Sequence, residues 1–206
     1  RSIKQQSLSK YQVLTLELCY CLRWHPVQET LYLVPKEMVP PYSQPTSKRD
    51  VLKVASRTYD PLGFMSPVTV TIWRPNSFQE LWQRKLEWDE PLPTELETKC
   101  DNLARDIQEA CKLVLPRCFF PQVHSKAQPI HLHVFADASY KAYGAVAYTS
   151  NGDQSSLVMS KSRVAPLKKL TLPQLELMMA SICARLAHFV GEALKSRFPT
   201  LTVHLW

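Results

Sequence analysis

The chain has 206 residues, 45% hydrophobic and 10% aromatic, so it can bury a sizeable core and fits one or two globular domains better than a disordered chain. Its 25 Lys and Arg exceed its 18 Asp and Glu, and the net charge of +7 favours a polyanionic partner such as nucleic acid. The six cysteines contain no CxxC pair, which gives little support to structural zinc or a disulfide framework, and no apolar run of about 18 residues predicts a membrane span.

The first 45 residues predict a strand pair followed by a linker. Alternating apolar residues over 11–34 are typical of strands, and the sequence at 25–28 resembles a turn between them. Four prolines between residues 35 and 45 indicate a connector. We therefore place the first boundary after residue 45.

Residues 46–128 predict a mainly helical segment. Ser47 can cap a helix that stops at Asp60, and apolar spacing predicts two further helices, over 76–88 and 94–115. The intervening run MSPVTVTIW is short and β-branched.

Residues 129–206 change character and predict an α/β arrangement. The predicted order is three strands in series, one long helix over 172–195, and a fourth strand in LTVHLW at the end of the chain. This order is typical of a mixed sheet with a helix packed on it.

Residues 131–206 hold only four acids against eight Lys and Arg, so the positions of the acids are informative. Asp137 ends an apolar strand and precedes small residues, so its carboxylate is expected where the sheet opens to solvent or ligand. Glu176 lies at the edge of an apolar arc of its helix, which is expected to bury residues such as Leu175 and Phe189. A carboxylate there needs a partner such as a metal ion. The alternative is a first-turn acid favoured by the helix dipole.

Two carboxylates that converge from a strand end and a helix suit a Mg²⁺ or Mn²⁺ site for phosphodiester hydrolysis. Four cationic residues lie between the two acids in sequence and could contact phosphates; the alternative is a solvated charged loop. They are Lys161, Arg163, Lys168 and Lys169.

Three motifs resemble the ribonuclease H domain of long-terminal-repeat retrotransposons. FADASYKAYGAVAY, with Asp137, resembles its first motif, and SKSRVAPLKKLTLPQLELMMA, with Glu176, resembles its second. LTVHLW resembles the strand that leads to a third acidic motif, so the resemblance implies an Asp shortly after Trp206. The chain is thus expected to be a piece of a longer polypeptide, cut before that acid.

Upstream, SKRDVLKVASRTYDPLGFMSPVTVTI is similar to the connection segment of the Pao (Bel) group of retrotransposon polyproteins, and LCYCLRWHPVQETLYL resembles the strand pair that closes the reverse transcriptase portion. The resemblance implies the end of a reverse transcriptase region over 1–45, a connection segment over 46–128 and a truncated ribonuclease H-like α/β domain over 129–206. The chain contains neither the Asp-Thr-Gly or Asp-Ser-Gly triplet of an aspartic peptidase nor a Tyr-x-Asp-Asp polymerase motif.

The resemblance also implies a function. In the intact Pol polyprotein, beside reverse transcriptase and integrase, the domain would hydrolyse the RNA strand of an RNA–DNA hybrid, with Asp137 and Glu176 holding Mg²⁺ or Mn²⁺. The expected location is a cytoplasmic virus-like particle or the nucleus, with no membrane partner, and the 206-residue chain alone is expected to be nearly inactive.

Two other interpretations remain open at this point. One is a non-catalytic nucleic-acid-binding or architectural module of a decayed element. The other is a zinc hydrolase, suggested by His131 and His133, which are spaced to share a strand face with Asp137.

Overall fold

The computed structural model describes residues 16–17, 22–34, 46–57, 60–72, 80–81, 84–120, 129–152 and 154–206. Within these ranges, eight strands form two four-stranded sheets, and four helices accompany them. The elements of the first half are β1 (Leu16–Glu17), β2 (Leu22–His25), β3 (Thr30–Leu33), α1 (Lys48–Arg57), α2 (Ser66–Ile72), α3 (Thr94–Ala110) and β4 (Val114–Pro116). Those of the second half are β5 (His131–Ala138), β6 (Ala142–Asn151), β7 (Gln154–Val164), α4 (Leu172–Lys195) and β8 (Thr202–Leu205).

The first sheet has the order β1-β2-β3-β4, and all its neighbours are antiparallel. The predicted hairpin is present as β2 and β3, which pair from Leu22 opposite Leu33 to His25 opposite Thr30. Buried leucines of this hairpin share one core with α1 and α3. The boundaries predicted after residues 45 and 128 stay predictions. The strand pair and the helical segment share one core, so the structure does not separate them at residue 45.

Two expectations for the helical segment are corrected. The helix expected over 94–115 ends at Ala110, because the next residues pair with β3 and form β4. The β-branched run after Met65, for which the sequence predicted no element, is the helix α2. Asp60 holds the turn before it, because its carboxylate accepts hydrogen bonds from the backbone N–H groups of Phe64 and Met65, and Pro67 suits a first turn because it has no N–H to leave unpaired. The helix predicted over 76–88 is also too long, because residues 80 and 81 are helical but residues 84–88 form a turn and irregular chain; its other six residues lie outside the described ranges.

The second sheet has the order β7-β6-β5-β8, in which only β5 and β8 are parallel. The ladder continues to the chain's last residue, since Trp206 N donates to Val134 O at 2.9 Å. This is the mixed sheet that the segment order predicts. The predicted helix over 172–195 is present with those bounds.

The long helix α4 is the core helix of this sheet. Leu186 and Val190 of α4 pack against Leu132 and Val134 of β5, which have no exposed surface. The helix starts after Thr171, whose backbone N–H donates to Gln174 Oε1 at 2.9 Å. By length and composition alone α4 could also cross a membrane, but its packing on the sheet accounts for its apolar residues on the buried side.

The two halves meet at a tight turn that precedes α2. Gly63, in the left-handed region with φ of +73°, presses against β7 so closely that a Cβ there would lie 2.1 Å from Ser160 O. Ser160 N donates to Leu62 O at 2.8 Å, and Ser160 Oγ donates to Gly63 O. Burial raises the pKa of Asp60 in this turn, against the backbone hydrogen bonds that favour its ionised form. The turn therefore anchors the first half on the edge strand of the second sheet.

Candidate functional site

Asp137 lies near the end of β5, on the sheet face that points away from α4. Leu132, Val134 and Ala136 alternate toward α4 and its core, so the odd-numbered residues of the strand face the other side. Asp137 is exposed and pairs in register with Gly144 of β6. The expectation that this carboxylate reaches an open part of the sheet is confirmed.

Glu176 lies in the second turn of α4, at the same end of the sheet. Its neighbour Leu175 is buried in a small cluster with Tyr143, against which Ala138 packs. Ala138 follows Asp137 directly, so the two acids flank one shared packing cluster. Asp137 lies on the sheet face away from α4, whereas Glu176 lies on α4, which packs on the other face, so any ion that both hold must lie around the end of β5.

Both sequence interpretations of Glu176 need correction. The side chain is exposed, so no desolvation cost demands a partner. It also lies beyond the first turn of α4, which contains no acid, so the helix dipole does not account for it either. Phe189, expected in the core, is 62% exposed. The apolar side of α4 is wider than the strip that the sheet covers.

A cavity of about 630 Å³ adjoins Asp137 on its side of the sheet. The sheet contributes Asp137, Gly144 and Lys161 to its wall, and the first half of the chain contributes Gly63 and Phe64. Gly144 allows β6 to lie close to β7 beside this cavity, because a Cβ there would lie 2.8 Å from Lys161 O.

The two carboxylates suit a hard divalent cation by their chemistry. Asp137 Oδ1 accepts one hydrogen bond, from the backbone N–H of Ala138 at 2.8 Å. Among the residues that the structure describes, neither Asp137 nor Glu176 forms a salt bridge with Lys or Arg. Exposed carboxylate oxygens without a cationic partner are ligands that Mg²⁺ and Mn²⁺ prefer. The pair thus fits part of such a site, with two ligands.

The four predicted phosphate contacts divide into two pairs. Lys161 and Arg163 lie on the edge strand β7, and Lys168 and Lys169 lie in the connection between β7 and α4. All four are exposed. The expectation of one basic loop is therefore wrong for the first pair, which a strand holds in fixed positions.

The histidines behind the zinc interpretation gain a third member, His204 of β8. His131 Nδ1 and His204 Nε2 are 3.0 Å apart, and the rings of His133 and His204 stack at 4.9 Å. His133 Nε2 contacts Ser150 Oγ at 3.1 Å. In the described ranges, no group of three or more His, Cys, Asp or Glu side chains is arranged to hold a metal ion, which applies to these histidines and equally to Asp137 and Glu176.

Sequence reasoning missed three features of this region: His204, the docking of the Gly63 turn beside Lys161, and Arg185 of α4, which shares a groove with β7. Each depends on contacts between distant segments. Only His204 could have been found from the sequence. If β5 and β8 are assumed to be neighbours, its position on the last strand puts it on the same sheet face as His131 and His133.

Comparison with known proteins gives a family and a distant structural likeness. The family model described as "Pao retrotransposon-like RNaseH-like domain" matches residues 47–206. No curated protein matches the chain. A foamy viral protease-reverse transcriptase in complex with dsDNA is similar, with 11% identity, a TM-score of 0.45, and coverage of 93% of this chain but only 36% of that one.

The family match spans more than half of the chain and includes both the helical segment and the second sheet. It agrees with the mixed sheet order β7-β6-β5-β8 and the helix packed on it, so the predicted ribonuclease H-like fold is confirmed. The chain belongs to the family of Pao retrotransposon-like RNaseH-like domains.

Proposed function

We propose that this domain, within its polyprotein, hydrolyses the RNA strand of an RNA–DNA hybrid with Mg²⁺ or Mn²⁺. The observation that carries the proposal is the position of Asp137 and Glu176. Two exposed carboxylates, without salt bridges to the described cations, flank one packing cluster at a single end of the sheet. Only four acids occur in the 78 residues from 129 to 206, so the presence of two of them at one end of the sheet is informative.

The role of the two carboxylates in the proposed reaction is to hold metal ions at fixed positions. Asp137 and Glu176 would hold and orient divalent ions, whose chemistry when bound would be to activate a water and stabilise the leaving oxygen. Asp137 is fixed by the ladder between β5 and β6, and Glu176 by a helix whose neighbouring residue is buried. Rigid elements of this kind keep both carboxylates in place before substrate arrives.

The cationic residues supply the affinity for the substrate. Lys161, Arg163, Lys168 and Lys169 are exposed and form no salt bridge within the described part of the chain. Cations in this state can replace the counterions of phosphates, which is the main source of sequence-independent affinity for nucleic acids.

Cleavage of a labelled RNA–DNA hybrid tests the proposal. The protein to use is a longer polypeptide that includes the third acid implied by the resemblance, assayed with Mg²⁺, with Mn²⁺ and with a chelator. Asp137→Asn and Glu176→Gln keep side-chain size and remove charge, and each should lower the rate by at least about a hundredfold, within the range expected when electrostatic stabilisation of a transition state is lost.

Glu192→Gln is the matched control, because Glu192 is an exposed acid of α4 whose partner is Lys195. It should cleave at the unchanged rate. If all three variants cleave alike while remaining folded by circular dichroism, the proposed site is wrong. Metal-independent binding of the hybrid with no cleavage would instead support the non-catalytic module.

A further inference from the structure

A second groove lies on the other side of the sheet, between the edge strand β7 and the helix α4. Its volume is about 460 Å³, and its wall includes Tyr143, Lys161, Arg163, Ser181, Arg185 and Phe189. Asp137 and Glu176 do not line it.

The two walls of the groove follow from ordinary strand and helix periodicity. Lys161 and Arg163 are two residues apart on β7, opposite Ala145 and Tyr143, so both are on the side of the sheet that faces α4. On the helix, Ser181, Arg185 and Phe189 are four residues apart and form one stripe. Strand and helix thus present cations to the same space.

The charged residues that line this groove are all cations, and the acid that interacts with one of them, Asp60 with Lys161, lines a neighbouring cavity instead. No Asp or Glu lines it, and among the described residues none of Lys161, Arg163 and Arg185 takes part in a salt bridge. The nearest contrast on the same helix is Lys195, whose Nζ lies 2.6 Å from Glu192 Oε1. A groove with three such cations favours a polyanion.

The groove also offers an exposed aromatic ring. Phe189 keeps 62% of its surface exposed although it stands in a helix that otherwise packs on the sheet. An aromatic ring beside cations is the combination with which proteins bind single-stranded nucleic acids, since bases stack on the ring while the backbone follows the positive groove. Neighbouring cations on one strand face are about 6.6 Å apart, close to the separation of successive phosphates along a nucleic-acid strand.

We propose that the groove between β7 and α4 binds single-stranded nucleic acid, with phosphates on Arg163, Arg185 and Lys161 and a base stacked on Phe189. The proposal does not rest on hydrolysis, because the groove contains neither of the two acids proposed to hold metal. Arg185 and Phe189 belong to no part of the hybrid-cleavage proposal, which allows the two to fail separately.

Fluorescence anisotropy of a labelled oligothymidylate tests this with the full chain in the presence of a chelator. Phe189→Ala should weaken binding by about tenfold, the effect expected for the loss of one stacked base. The double variant Arg163→Ala with Arg185→Ala should lower the slope of log affinity against log salt by about 1.4, from roughly 0.7 for each phosphate contact on a single strand.

The matched control replaces two exposed arginines outside the groove, Arg105 and Arg197, by alanine, and its slope should match the parent. Thermal melting checks that each variant is folded. The proposal is overturned if the groove variants bind with the affinity and slope of the control. It is also overturned if polyglutamate competes as well as unlabelled oligothymidylate, because the groove would then select an acidic peptide.

Discussion

The first half of the chain, taken from residue 46, and the second half differ in whether their Lys and Arg side chains are paired with acids. Residues 46–128 hold 12 Lys and Arg against 11 Asp and Glu, while residues 129–206 hold eight against four. In the described part of the first half, cations pair with acids, as in Arg49 with Asp89 and Lys99 with Glu95. In the second half, Lys195 with Glu192 is the one salt bridge among described residues.

This difference separates a scaffold from a binding surface. Exposed ion pairs add little stability, so the main effect of pairing in the first half is to cancel its field. The unpaired cations of the second half keep theirs, and Lys161, Arg163 and Arg185 line the groove between β7 and α4. The net charge of +7 is therefore a property mainly of the region that is proposed to meet nucleic acid.

The largest expected effect comes from removing cations in one half and then in the other. Replacing Lys161, Arg163, Lys168 and Lys169 by alanine should flatten the salt dependence of hybrid binding, by a slope of up to about 3.6 at roughly 0.9 for each phosphate contact. Titrations at several salt concentrations measure the slope.

The matched variant replaces four paired cations of the first half, Arg49, Arg84, Lys99 and Lys112, by alanine. Its slope should stay within error of the parent. An equal loss of slope in the two variants would mean that total charge, and not its placement, controls binding.

The next effect concerns the turn that joins the two halves. Gly63→Ala places a Cβ against the carbonyl of Ser160 and forces a non-glycine residue into a left-handed conformation, so the free energy of unfolding should fall by at least about 2 kcal/mol. Urea denaturation measures it. Gly191→Ala is the control, because its nearest neighbours are 4.0 Å away and alanine favours a helix; it should be neutral or stabilising. Equal losses in both variants would show that Gly63 does not anchor the junction.

A smaller effect is expected from pH at the far end of the second sheet. Burial lowers the pKa of His133, with further lowering from His204 and His131. As pH falls through the ordinary value of 6.5, His133 takes up a proton more readily in the unfolded chain than in the folded one. The contribution of neutral His133 to the free energy of unfolding is therefore present above that pH and is lost below it. The melting temperature should drop between about pH 7.5 and about pH 5.5, and His133→Gln should reduce the drop. His188→Gln, at an exposed position of α4, should leave it unchanged; an identical drop in all three proteins would contradict the argument.

The smallest expected effect is a difference in the alkylation rates of buried and exposed cysteine thiols. Burial, followed by Asp101 and Glu97, raises the pKa of Cys100 to about 11, so its reactive thiolate is scarce near neutral pH. Cys118 is exposed and should be alkylated by iodoacetamide before the buried Cys100, Cys111 and Cys183, as mass spectrometry of each cysteine-containing peptide would show. Rapid labelling of Cys100 in the folded protein would mean that the core of the first half opens readily.

Periodicity alone predicted the elements that are long and locally consistent. The helix α4 and the strands β5 and β8 follow from repeats of 3.6 and 2, and the motifs around Asp137 and Glu176 indicated the ribonuclease H-like domain. Elements that depend on distant partners were missed. β4 exists because β3 offers an edge. The helix α2 was missed for a local reason, because Pro67 suits a first helical turn and Asp60 holds the turn before it, against the strand tendency of valine and threonine.

The residues of the proposed site stay a prediction from the motifs, and their surroundings could not be predicted from the sequence. The apolar arc of α4 is wider than the sheet it covers, so a count of apolar positions could not show that Glu176 and Phe189 are exposed. Arg185 gave no signal, because a cation on a helix is informative only when the opposite wall of its groove is known. Tertiary contacts decide such questions.

The central claim is that Asp137 and Glu176 share one site for a divalent ion at the end of β5, and Mn²⁺ titration followed by NMR tests it directly. The paramagnetic ion should first broaden the amide signals of Ala138, Gly144 and Glu176, and Asp137→Asn or Glu176→Gln should abolish that broadening at the same Mn²⁺ concentration. Broadening centred on His131 and His204 instead, or broadening that both variants retain, would contradict the account.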